Sequence, residues 1–314
     1  SGGEYGGCTG GATAYFSWMY AGYYFFPGTY FLAEDKQKLL TDSIDSPFFQ
    51  PIDLRSPARL DFDDDRISDP VIWNVGAGVW QVYKSSTATI TSFQWGANGD
   101  ELVPNDYDGD GQTDFSVWRP SDSTWYIFQS TDSTIVGVTF GTASDIPVPR
   151  DYDGDLRADI AVWRPSSAVW YVYRSGTNIT TAFQFGTTGD IPIPADFDGD
   201  KRNDYAIFRP SENAWYIYKS YLNSFDMVTF GLSGDELVPQ DFDGDSKADI
   251  AVWRPSDGNW YVLGSAVGFY STHFGSSGDL PVPADYDGDA KTDLSVWRPS
   301  TATFWILGSS AGLQ

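Results

Sequence analysis

Apolar residues in this chain recur in short runs that alternate with polar ones, a period of two that predicts strands. Asp159-Ile-Ala-Val-Trp-Arg164 is one such run, Trp170-Tyr-Val-Tyr-Arg-Ser175 the next, and Thr181-Ala-Phe-Gln-Phe-Gly186 a third. A Gly-Asp step and a short Ile191-Pro-Ile-Pro194 segment complete the set. Gly, Pro, Ser and Asp bound each run, and no repeat keeps a helical apolar period over ten residues. The whole order then returns. A motif D-x-D-G-D-x-x-x-D starts at Asp61, Asp106, Asp151, Asp196, Asp241 and Asp285, with Asp64 replacing the glycine in the first copy. The spacings are 45 residues four times and 44 once.

Four short strands in about 45 residues is the size of a propeller blade, so the chain is read as an all-β propeller of six four-stranded blades. Strand A precedes each motif, as in Ile191 to Phe197; B follows the motif, C holds the Trp-Tyr pair, and D ends at Phe-Gly. The two prolines of strand A suit a free edge, which the innermost strand of a blade presents to the central channel. The sixth unit has A (Leu280 to Tyr286), B (Leu294 to Arg298) and C (Thr303 to Leu307), and Gln314 follows without a D. By register from Asp61, residues 44–51 fall in the missing strand's place, so an N-terminal strand is expected to close the last blade. A seventh blade is the alternative if residues 12–33 form a degenerate copy. The chain thus divides into an aromatic-rich N-terminal arm, residues 1–43, and a propeller, residues 44–314.

Charge changes the picture most. The 314 residues carry 43 acids and 19 bases, a formal charge of −24, which argues against nucleic acid or anionic membranes as partners. With 41% hydrophobic and 17% aromatic residues the chain is nonetheless core-forming. The whole excess of acid resides in the motifs, whose first, third, fifth and ninth positions are carboxylates. These are Asp61, Asp63, Asp65 and Asp69 in the first copy and Asp106, Asp108, Asp110 and Asp114 in the second. The third has Asp151, Asp153, Asp155 and Asp159, and the fourth Asp196, Asp198, Asp200 and Asp204. Asp241, Asp243, Asp245 and Asp249 form the fifth; Asp285, Asp287, Asp289 and Asp293 form the sixth. Four carboxylates in a tight loop repel one another without a cation, and oxygen-only donors favour Ca²⁺. About six calcium ions are expected, one per repeat. An EF-hand is excluded because position 12 carries no Glu and the flanks read as strands. The bland alternative is a set of solvated Asp-Gly turns, and the first loop, with Asp64, fits the pattern least well.

These motifs, with Phe140-Gly141, Phe185-Gly186, Phe230-Gly231 and Phe274-Gly275 at the ends of units, resemble the FG-GAP/VCBS repeat family of calcium-binding blades, found in integrin α-chain heads and bacterial surface proteins. The resemblance covers residues 44–314. It implies a propeller whose four Asp per loop ligate calcium between strands A and B, outside the cell or at its surface. It implies little about activity, since such propellers serve as adhesion modules, scaffolds and enzyme appendages.

Elsewhere, Arg119, Arg164, Arg209, Arg254 and Arg298 end strand B, and Asp100, Asp145, Asp190, Asp235 and Asp279 occupy the D-to-A turn. They are expected to pair on the face away from the loops, and in the first unit both positions change, to Asn74 and Arg55. Binding of an anionic glycan by the arginines is the alternative. Trp118, Trp163, Trp253 and Trp297 in strand B, and Trp125, Trp170, Trp215 and Trp260 opening strand C, read as core and not as sugar-stacking platforms. One histidine and one cysteine leave little for acid–base, thiol or zinc chemistry. His273 reads as structural, and no constellation departs from the repeat to form a unique catalytic site, so no enzyme is expected. Cys8 has no internal partner and is free, lipidated or cross-linking. Asn178-Ile-Thr180 is a single glycosylation sequon. Ser1 is not preceded by a basic-then-apolar leader, which fits a removed secretion signal or none.

Residues 11–33 carry no charge, and ten of the 17 residues from Tyr15 to Phe31 are aromatic. Five tyrosines and Pro27-Gly28 count against a membrane span. The run reads as strands seeking a surface, either on its own propeller or on a neighbouring subunit. The expectation is therefore a secreted structural propeller that self-assembles into a surface layer or filament through residues 12–33. A carbohydrate-binding or adhesion propeller, with a glycan or surface protein as partner, is the alternative.

Overall fold

The computed structural model describes residues 49–51 and 60–311. They form an all-β propeller of six blades, each an antiparallel sheet in which strands neighbour one another in chain order. The first blade is Phe49–Pro51, Val71–Asn74, Val79–Lys84 and Thr89–Gln94, which serve as its strands A to D. Four more blades repeat that order, and the sixth has three described strands, Leu280–Pro281, Leu294–Arg298 and Thr303–Leu307. Among the described residues no helix is long and apolar enough to cross a membrane.

The innermost strand of the first blade corrects the expected closure. Residues 49–51 pair with Val71–Asn74, Gln50 opposite Trp73 and Pro51 opposite Ile72. That is the register of Ile146 opposite Trp163 and Pro147 opposite Val162 in the third blade. Residues 49–51 are thus strand A of the first blade, not strand D of the last. The first unit places nine residues between Pro51 and Asp61 where the third places three between Pro147 and Asp151. Counting back from the motif at the repeat's usual offset therefore misplaces the strand. The arm at residues 12–33, Cys8, Arg55 and the 43/44 boundary lie outside the described residues.

The ring is closed by the loops themselves. The backbone N–H of motif position 8 donates to the position-1 carbonyl of the preceding motif, as Ala158 does to Asp106 at 2.7 Å. Thr113, Asn203, Ala248 and Thr292 do likewise to Asp61, Asp151, Asp196 and Asp241 at 2.6–2.7 Å. Ser68 completes the circuit by donating to Asp285 at 2.7 Å. The sixth blade therefore sits beside the first, which leaves no gap for a seventh.

Between blades lies the core that the alternation predicted. Trp80, Trp118, Trp125, Trp163, Trp170, Trp215, Trp253 and Trp260 are fully buried. The Phe-Gly step has a physical reason here. The indole N–H of Trp125, Trp170, Trp215 and Trp260 donates to the carbonyl of Phe140, Phe185, Phe230 and Phe274 at 2.8–3.1 Å. In the first blade Trp80 does the same to Trp95 at 2.8 Å. The following glycine takes a positive φ, +97° at Gly141, and a Cβ there would lie 3.1 Å from Val162 of the next blade. One residue thus satisfies a buried donor while the next permits close blade-to-blade approach.

Candidate metal centre

Each D-x-D-x-D loop joins strand A to strand B at one end of the ring. In the third, Asp151 folds the loop around itself: its Oδ1 accepts from Gly154 N at 2.5 Å and its Oδ2 from Leu156 N at 2.8 Å. Positions 4 and 6 turn left-handed to present those amides, φ +83° at Gly154 and +69° at Leu156. Asp159 is fully buried; its Oδ2 accepts from Tyr152 N at 2.9 Å and its Oδ1 from Ser175 N at 2.7 Å. Asp153 Oδ2 accepts from Gly176 N at 3.3 Å, while its Oδ1 is buried without a hydrogen-bond partner.

The first, third and ninth carboxylates converge. Ligand atoms of Asp151, Asp153 and Asp159 lie within 4.8 Å of one another, as do those of Asp61/Asp63/Asp69, Asp106/Asp108/Asp114, Asp196/Asp198/Asp204 and Asp241/Asp243/Asp249. In the sixth loop Asp285 accepts from Gly288 and Ala290 N, Asp293 from Tyr286 and Ser309 N, and Asp287 from Ser310 N, the same pattern. The fifth position stands apart from these triads. Asp65, Asp110, Asp155, Asp245 and Asp289 instead accept from the hydroxyl of a serine, Ser85, Ser130, Ser175, Ser265 or Ser309. In the fourth loop Asp200 Oδ2 and Ser220 Oγ are both buried and unpartnered.

That serine is the functional residue the sequence reading missed. It sits on the C-to-D turn 24 residues after the start of every motif (Ser85, Ser130, Ser175, Ser220, Ser265 and Ser309). In all six its N–H donates to the ninth-position carboxylate at 2.6–2.8 Å. Its fixed offset was the available signal.

Burial without a counter-charge raises these carboxyls. It pushes Asp69, Asp159 and Asp249 up to about 6, and Asp114, Asp204 and Asp293 up to about 7, against the lowering effect of their backbone donors. Asp106, Asp151, Asp196, Asp241 and Asp285 are raised for the same reason. Asp63 Oδ1, Asp153 Oδ1, Asp198 Oδ2 and Asp243 Oδ1 are buried acceptors with no donor, and an oxygen-only donor set of this kind fits a hard divalent cation. The first loop is built like the rest. Asp64 adopts φ +63°, which Asp tolerates, and its N–H donates to Asp61 Oδ1 at 2.7 Å.

Glycine at position 4 has a second reason. A Cβ at Gly154 would lie 2.7 Å from the Arg202 side chain of the next loop, and at Gly244 2.7 Å from Lys291. Neighbouring loops therefore interlock, a basic side chain of one lying over the acidic turn of the other.

At the far end of strand B the expected ion pairs are present. Arg119, Arg164, Arg209, Arg254 and Arg298 each grip Asp100, Asp145, Asp190, Asp235 or Asp279 through two nitrogens at 2.7–3.0 Å. The aspartate side chains are buried, and each guanidinium also lies 4.2–5.0 Å over Tyr126, Tyr171, Tyr216, Tyr261 or Trp305. These side chains hold the D-to-A turn to the sheet. In the first blade Asn74 instead accepts from Ala77 N through its own side chain at 3.1 Å. His273 lies exposed on strand D of the fifth blade, Gly268–His273, opposite Asn259.

A six-bladed ring with one acidic loop per blade defines a repeat propeller, and the comparisons agree. Residues 151–207 match the family model of the FG-GAP-like repeat. That match and the six-bladed ring fit a propeller repeat of the FG-GAP type. No curated protein matches the chain. Among solved structures it is similar to regucalcin of Agrobacterium tumefaciens, described as a calcium-binding protein: 12% identity, TM-score 0.51, 83% of this chain and 94% of that one covered. A lectin of Agrocybe aegerita that recognises non-reducing terminal N-acetylglucosamine aligns at 12% identity and TM-score 0.52, over 80% and 79% of the two chains. At such identities the likeness is one of fold.

Proposed function

We propose that this chain is a non-catalytic structural propeller, stiffened by one calcium ion in each of its six loops and self-associating through residues 12–33 outside the cell or at its surface. The observation that carries the metal is the buried, donorless carboxylate oxygen of the third position, found at Asp63, Asp153, Asp198 and Asp243. The ligands are the first, third and ninth aspartates of each loop; the fifth can join them, Asp65, Asp110, Asp155, Asp245 and Asp289 by releasing a serine hydroxyl and Asp200 through an oxygen that is already unpartnered. Loops of this kind suit a compartment where calcium is abundant, on the order of 10⁻⁴–10⁻³ M. A carbohydrate-binding role draws less support, because the tryptophans that would stack on sugars are buried between blades.

Calcium bound only to the folded state stabilises it by about 2.7 kcal/mol per site at a hundredfold excess over Kd. Thermal unfolding of the full chain should therefore shift upward by many degrees between excess EDTA and millimolar calcium. Light scattering of the same samples reads the self-association. An unchanged melting temperature after confirmed metal removal overturns the calcium reading, and a monomer at every concentration overturns the assembly reading.

A further inference from the structure

Repetition supplies its own control: each surface position occurs five or six times, so a departure shared by neighbouring blades sets that part of the surface apart. After the loop-binding serine, the C-to-D turn reads Ser86-Thr87, Thr131-Asp132 and Gly176-Thr177 in the first three blades, but Tyr221-Leu222 and Ala266-Val267 in the fourth and fifth. On strand D, the outward position of Ile90, Ile135 and Thr180 in the first three blades becomes a ring, Phe225 and Phe269, in the fourth and fifth, and that of Ala182 becomes Met227 in the fourth. Tyr221, Leu222, Phe225, Met227, Val267 and Phe269 are each more than half exposed. Ring contacts reach across to the preceding blade: Phe225 lies 6.2 Å from Phe185 of the third blade, and Phe269 lies 6.2 Å from Phe230 of the fourth. Exposed apolar side chains gathered on two adjacent blades of a chain carrying −24 point to an interaction site.

We propose that this surface on the fourth and fifth blades receives residues 15–31 of a second copy of the chain. The inference rests on the self-association reading above and names its acceptor. The donor segment is complementary in chemistry, with ten aromatic residues and no charge, so it can approach a strongly anionic neighbour where a charged segment is repelled. Its place in the ring fits a neighbour. The chain enters the propeller at Phe49, in the first blade, beside the sixth. In a ring of six the first blade faces the fourth and the sixth faces the third. The chain's entry and the fourth blade thus lie on opposite sides of the ring; donor and acceptor are different surfaces, so the contact is heterologous, and it grows as an open chain where the rotation does not close. Residues 34–48 between them span about 50 Å when extended, enough to leave the parent subunit.

The test uses two full-length variants: Phe225→Ser with Met227→Ser removes acceptor surface, and Tyr24→Ser with Phe25→Ser weakens the donor. Each alone should assemble at least tenfold more weakly by light scattering, with unchanged circular dichroism. Mixed in equal amounts they should form one-to-one pairs, because the first keeps a donor and the second keeps an acceptor. Should the Phe225 variant unfold, Val267→Ser with Phe269→Ser reads the same surface. Wild-type assembly by the acceptor variants overturns this inference and leaves self-association standing. Failure of the mixture to pair also overturns it, placing the segment on its own subunit. A wild-type chain that never assembles removes the self-association on which the inference rests.

Discussion

At Gly186 the absence of one methyl group decides how closely the third and fourth blades approach. Its φ is +106°, and a Cβ would sit 3.3 Å from Asp190 Oδ2 and 3.4 Å from Ile207. Gly186→Ala should lower stability by about 1–3 kcal/mol, the cost of a non-glycine residue forced into that region, read as an earlier urea midpoint. On the corresponding turn one blade earlier, Arg164 holds Asp145 through Nε and Nη2, both at 2.8 Å. Arg164→Lys loses the planar fork and should cost about 1–3 kcal/mol despite keeping the charge. An unchanged unfolding midpoint would remove the turn-holding role assigned to these pairs.

At the scale of the element, the C-to-D turn and the acidic loop form one unit. Ser175 donates to Asp159 through its N–H at 2.7 Å and touches Asp155 and Asp159 through its hydroxyl at 3.0 Å. Ser175→Ala keeps the amide donor, so the third site should weaken by severalfold in a calcium titration while the other sites are unaffected. Loss of binding at every loop would contradict sites that are built separately. Much of this architecture is legible in the sequence, since six copies of one motif point to six blades and their strand order, with a seventh left open, and the recurring Arg and Asp positions point to their pairing. What was not legible came from chain that breaks the period. The first unit inserts residues between Pro51 and Asp61, and a strand located by counting from the motif was placed in the wrong blade. Ser175 escaped notice for another reason: serine is common in turns, and its link to the loop is made across the blade, not along the sequence. The fifth-position aspartates look equivalent to the others in sequence, yet in five of the six loops they accept from that serine's hydroxyl.

Across the whole molecule, the loops do two jobs at one end of the ring. They gather the negative charge, and through the six backbone bonds from Ser68 to Thr292 they link each blade to the one before. Cation binding and ring closure therefore reinforce each other, and metal loss should loosen blade contacts all round the ring. Hydrogen exchange read in calcium and in EDTA should show faster exchange at Ser68, Thr113, Ala158, Asn203, Ala248 and Thr292 once metal is removed. Their protection in EDTA equal to that in calcium would separate closure from cation binding. Each loop is proposed to hold one ion, and equilibrium dialysis of the full chain against radioactive calcium measures that directly. Binding should saturate near six ions per chain, one for each motif from Asp61 to Asp285; saturation at zero or one would contradict six loop sites.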